Sequence, residues 1–83
     1  MSDDTEISTT GLANMRPVHI AKRARIVAGL SQTEFARTYG IPLGTLRDWE
    51  QGRSDPDAAG VAYLTAIIHD AAAVARAYGA AAA

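Results

Sequence analysis

The sequence predicts an all-α fold, a five-helix domain behind a flexible N-terminal arm. Three observations carry that prediction. Apolar residues recur at three- and four-residue spacing, and no stretch alternates apolar and polar as a half-buried strand would. Glycines, prolines and capping residues fall between the apolar groups at helix-length intervals. With 83 residues, the chain can fill one small core and little more.

The elements follow in order. Residues 1–15 hold Asp3, Asp4 and Glu6, several Ser and Thr, and few large apolar groups, which predicts a mobile acidic arm. Pro17 opens a first helix to about Ala28, with Val18, Ala21, Ala24 or Arg25, and Ala28 on its inner side. Ser31 and Glu34 then form S-x-x-E, a capping box: the serine accepts from a first-turn amide while the glutamate reaches back to the amide of Ser31. Phe35, Ala36 and Tyr39 give the second helix its apolar face, and Gly40 stops it. Ile41-Pro42 starts a third helix in which Leu46 and Trp49 face inward, with Gly52 as its stop.

Arg53-Ser54-Asp55-Pro56-Asp57 reads as a loop, broken by Pro56 and ending on Asp57 as a cap. From Ala58 to about Ile68, Val61, Leu64 and Ile67/Ile68 recur at helical spacing. Asp70 caps a last helix, Ala71 to Tyr78, whose Val74 and Tyr78 share a face. The terminal Gly79-Ala80-Ala81-Ala82-Ala83 is low-complexity and expected to fray. The organisation is therefore an arm over 1–15, a domain over 16–79 and a flexible alanine tail over 80–83.

Composition narrows the setting. Without cysteine there is no disulfide and no thiolate metal site, which suits a reducing cytoplasm. The start, MSDDTEISTTG, is acidic and polar, unlike a signal or transit peptide. The apolar stretches fall short of the roughly 20 residues that a membrane span needs. The net charge is −1, but it is segregated. Residues 16–53 carry seven basic side chains against three carboxylates, while the flanking segments on both sides are net acidic. Local field governs phosphate binding, so a basic middle is compatible with a DNA-binding face.

Two short helices joined by a glycine turn form the helix-turn-helix module, whose second helix enters the DNA major groove. The segment resembles the Xre/Cro (lambda-repressor-like) family, whose pattern here is Leu30-Ser31-Gln32, Ala36, Gly40 and Trp49-Glu50-Gln51-Gly52. The likeness extends less sharply over Pro17 to Tyr78. The run IPLGTLRDWEQGR, Ile41 to Arg53, is similar to small HigA-type antitoxins encoded beside RelE-like or related toxins.

The resemblance implies roles residue by residue. Gln32 bridges a phosphate and the recognition helix at a positive helix end, and Thr33 adds a phosphate contact. Leu43, Gly44 and Asp48 match positions that touch bases, and Thr45 joins the candidate DNA contacts. Leu43 can meet a thymine methyl, and Asp48 can accept from a cytosine amino group or hold Arg47. Gly44, lacking a side chain, lets the backbone approach the duplex. Arg47 can bind guanine or phosphate, and Arg53 is placed for phosphate. Lys22 and Arg37 are flanking candidates that can equally be solvated charges. Arg25 and Glu50 match a largely buried structural ion pair, and Trp49 reads as core.

An enzyme is not expected. His19 and His69 fall on separate helices, with no carboxylate cluster beside them and no glycine-rich phosphate loop, so neither a metal nor another cofactor is implied. The expected function is sequence-specific repression, with a homodimer bound to palindromic double-stranded operator DNA and repressing its own promoter. The antitoxin likeness adds a RelE-like or related ribonuclease toxin as partner, neutralised by some surface such as the acidic arm. The alternative is a stand-alone phage-type or metabolic repressor. Either would act in the bacterial cytoplasm, at the nucleoid.

Overall fold

The computed structural model describes residues 17–82, with side chains from Ile20 to Ala80. Five helices make up the described chain: α1 Pro17–Ala28, α2 Gln32–Tyr39, α3 Leu43–Gln51, α4 Ala58–His69 and α5 Ala71–Ala82. No strand occurs among the described residues, and the all-α prediction stands. The expected arm over 1–15 lies outside the described residues, as do the side chains of Val18 and His19 and the final alanine, Ala83.

α1 runs against α3 and α4, and α5 folds back at 120° to α4 to cover α2. Ala21 and Ala24, both fully buried, give α1 a smooth inner face on which Phe35, Leu46, Leu64 and Ile67 close with no exposed side-chain surface. Each of these four large side chains contributes roughly 1.5–3 kcal/mol on burial, which makes them the main apolar stabilisation of so small a fold.

Tyrosines tie the second half of the chain to the first. The Phe35 and Tyr39 rings lie 4.8 Å apart, and Tyr63 meets Tyr39 edge-on at 6.5 Å. The Tyr63 hydroxyl donates to the Tyr39 carbonyl at 2.6 Å, and the Tyr39 hydroxyl donates to the Ala71 carbonyl at 2.9 Å. Burial pushes both phenols above their usual range, which keeps them protonated as donors.

Three expectations change. Val61 is only half-buried and outside the central cluster, while Tyr63 packs against it. α4 packs chiefly on α1, with Leu64 and Ile67 rather than Val61 facing inward, and Tyr63 reaches from it to the Tyr39 carbonyl of α2. The last helix does not stop at Tyr78 but runs on through Gly79 to Ala82. Alanine is the best helix former, so Ala80–Ala82 propagate a helix already anchored by α2. Trp49 reaches the core only from its edge, half-buried, with its ring beside Gly60 at the start of α4.

A candidate nucleic-acid interface

The two helices of the motif are closed by local chemistry. Ser31 Oγ accepts from the Glu34 amide at 3.2 Å, and Glu34 Oε1 accepts from the Ser31 amide at 3.0 Å. These bonds hold the Glu34 carboxyl below the usual carboxylate range. Gly40, at φ 70°, ends α2, and the following amide of Ile41 donates to the Ala36 carbonyl at 2.9 Å. A Cβ on Gly40 would overlap the Tyr78 ring, so both the turn angle and the packing of α5 demand glycine there. Pro42 precedes α3, and Gly52, at φ 78°, ends it.

The angle between these helices is held by one carboxylate. Arg25 of α1 donates to Glu50 of α3 twice, Nε to Oε2 at 2.8 Å and Nη2 to Oε1 at 2.9 Å. Gln32 of α2 adds Nε2 to Oε1 at 3.2 Å. Three helices thus meet on Glu50, whose side chain is 6% exposed against 20% for Arg25. Burial alone would raise the Glu50 pKa, but the hydrogen bonds from Arg25 and Gln32 and the charges of Arg25 and Lys22 outweigh it, so the group sits below the usual range. The same contact raises Arg25 further. A fork–fork bond of this geometry needs both partners ionised.

The other side of α3 is open. Gly44, Arg47 and Arg53 are exposed, with Thr45 and Asp48 half-exposed beside them, and Thr33 is exposed at the start of α2. Lys22 and Arg37 are exposed on the flanks. Among the described residues, nothing beyond its chain neighbours and its own helix backbone lies within 4 Å of a Cβ built on Gly44. Packing among the described residues therefore does not account for glycine at this position.

Two placements differ from expectation. Leu43 is half-buried against the core rather than outward, because it precedes Leu46 by three residues and shares its side of α3. Asp48 takes Arg53, not Arg47, as its partner: Arg53 Nη1 lies 3.4 Å from Asp48 Oδ1. The turn at Gly52 directs the chain back, with the Arg53 amide donating to the Asp48 carbonyl at 2.9 Å, and so returns Arg53 over Asp48. The reach of Gln32 to Glu50 was implied only as a bond to the recognition helix; an N-terminal helix residue opposite a capped partner helix gives no hint of which atom it will meet.

Comparison with known families agrees with this geometry. Residues 22–59 match the family model described as Helix-turn-helix, of the Xre type. This segment is a helix-turn-helix unit. It spans most of α1, all of α2 and α3 and the start of α4, and such a unit points to a sequence-specific DNA-binding regulator. No curated protein and no solved structure gives a match to the chain. Nothing matched bears on the narrower likeness to HigA-type antitoxins.

Proposed function

We propose that this chain is a transcriptional repressor that binds a palindromic operator as a homodimer and represses its own promoter. It acts as a binding module and not as an enzyme. The observation that carries this reading is the two-sided nature of α3. One side is fixed to α1 and α2 through Glu50 and Leu46, and the other presents Gly44, Thr45, Arg47 and Asp48 to solvent beside Arg53.

In the groove, Arg47 reads guanine or meets a phosphate, and Thr45 supplies a hydroxyl. Leu43 offers only its exposed edge to a thymine methyl. Gln32 gives one Nε2 hydrogen to Glu50 and keeps the other for a phosphate at the positive end of α2, where Thr33 adds its hydroxyl. A single module buries only about 600–1,000 Å² on DNA, which favours two-fold pairing.

The test is titration of the chain's own promoter fragment at several salt concentrations. Affinity should fall with a slope of about −0.9 in log K against log salt for every phosphate neutralised. A flat response would remove the phosphate contacts from the reading.

The similarity of Ile41 to Arg53 to HigA-type antitoxins supports a second role, neutralisation of a basic RelE-like or related ribonuclease toxin. A short basic reading frame abutting this one, whose product co-purifies with the chain and whose toxicity the chain relieves, is the expected finding. A neighbour without toxicity would leave a stand-alone phage-type or metabolic repressor.

A further inference from the structure

The basic segment 16–53 contains three carboxylates, and the fold engages two of them in its own construction. Glu34 closes the capping box, and Glu50 joins three helices. Asp48 does neither. It lies on the open side of α3, 43% exposed, and pairs with Arg53, itself 70% exposed. A carboxylate on a surface that faces phosphates opposes binding unless something in the complex takes it up. An exposed ion pair at 3.4 Å is loose enough to exchange partners.

We propose that Asp48 is a specificity-determining residue, which holds Arg53 back from phosphate until a base offering an amino hydrogen in the major groove takes over its carboxylate. Cytosine, through N4, is the base that fits an aspartate acceptor. On a matching site the exchange conserves charge pairing: Asp48 accepts from the base, and Arg53, released, neutralises a phosphate. On a non-matching site two outcomes remain, both unfavourable. Either Arg53 stays on Asp48 and a phosphate contact is lost, or Arg53 leaves and an unpaired carboxylate faces the backbone. Asp48 thus acts chiefly by weakening the wrong complexes, in the way specificity is commonly obtained. This inference rests on the DNA-binding reading above and deepens it.

The experiment compares the full chain with Asp48→Ala, Asp48→Asn and the double variant Asp48→Ala/Arg53→Gln. The probes are a random-sequence duplex and a duplex selected from a random pool by the wild-type protein. Fluorescence anisotropy is measured across a salt series, and thermal melting of each variant verifies folding. Asp48→Ala should bind the random duplex several-fold more tightly than wild type, with its salt slope steeper by about 0.9, the signature of one added phosphate contact. Its preference for the selected duplex should shrink. Asp48→Asn, which removes the charge and keeps the shape, should reproduce the gain on random DNA should the alanine variant fold poorly. The double variant should lose that gain. Unchanged or weaker binding of random DNA by both single variants overturns the proposal, as does a gain that survives Arg53→Gln. Wild-type protein that binds no duplex overturns this inference together with the DNA-binding reading, whereas wild-type binding with no gain in either single variant sinks the inference alone.

Discussion

Asp48 and Glu50 stand two residues apart on α3, roughly 200° around the helix, and the fold treats them in opposite ways. The Glu50 side chain is only 6% exposed, doubly bonded to Arg25 at 2.8 and 2.9 Å and bonded again by Gln32. Asp48 is half-exposed and meets Arg53 through one contact at 3.4 Å. The same chemical group serves as a fixed joint on one side of a helix and as an exchangeable contact on the other. The difference is desolvation. A carboxylate removed from water must keep its partners, whereas one left in water can trade them at little cost.

The largest expected effect comes from breaking the fixed side. Glu50→Ala leaves the largely buried Arg25 guanidinium without a counter-charge, with only the Leu30 carbonyl at 3.4 Å to accept from it. Stranding one member of a buried pair costs about 3–5 kcal/mol, and the partial exposure of Arg25 puts this case near the lower limit. Arg25→Ala should destabilise in the same way, and the double variant should lose less than the sum of the singles. Urea denaturation of the four proteins measures the coupling; additive losses would mean that the pair is not acting as a unit.

The same joint predicts an acid response. The folded pKa of Glu50 lies below its unfolded value, so its contribution is complete above the unfolded value of about 4.3 and is lost as pH falls through the folded pKa. Glu50→Gln should therefore flatten the stability profile in that acid window, leaving the profile at neutral pH parallel to that of wild type.

How much of this contrast the sequence disclosed depends on the range of the forces involved. The capping box at Ser31 and Glu34, the stops at Gly40 and Gly52 and the inward Leu46 were all legible, because each is fixed by neighbours within one turn. The pairing of Arg25 with Glu50 was legible only through family resemblance, since nothing local joins residues so far apart. The choice of Tyr63 over Val61 for the core and the pairing of Asp48 with Arg53 escaped it. The first follows from how α4 packs on α1, which brings Tyr63 within reach of Tyr39, the second from the path of the chain after Gly52. The extension of α5 to Ala82 depends on the anchorage of Ala71 and Val74, which composition alone does not display.

On the open side the effects should be smaller and should fall on DNA rather than on folding. Arg47→Ala removes an exposed guanidinium that has no partner among the described residues, so melting should be unchanged. Operator affinity should drop by about 1–3 kcal/mol if Arg47 reads guanine, with the loss confined to one base pair. Equal loss on every sequence would assign Arg47 to phosphate. No loss on any sequence would mean that this side of α3 does not enter the groove.

The smallest change is also the one in which stability and binding should move apart. Gly44 lies in the first turn of α3, where glycine costs up to about 0.5–1 kcal/mol relative to alanine, and among the described residues nothing beyond its neighbours and its own helix approaches the place a Cβ would occupy. Its φ is not positive, so an alanine fits the backbone as it stands. Gly44→Ala should therefore raise the melting temperature, through a stiffer unfolded chain and a better helix former. If the backbone at Gly44 comes close to the duplex, the added methyl must sit where DNA would be, and operator affinity should fall while the fold gains. Circular dichroism melting and anisotropy titration of the same preparation separate the two. A variant that is more stable and binds as well as wild type would show that α3 keeps its distance from DNA at this position, and would shift the reading surface toward Arg47, Asp48 and Arg53. A variant that is more stable and binds less well would show that the helix gives up its own stability where the duplex must approach.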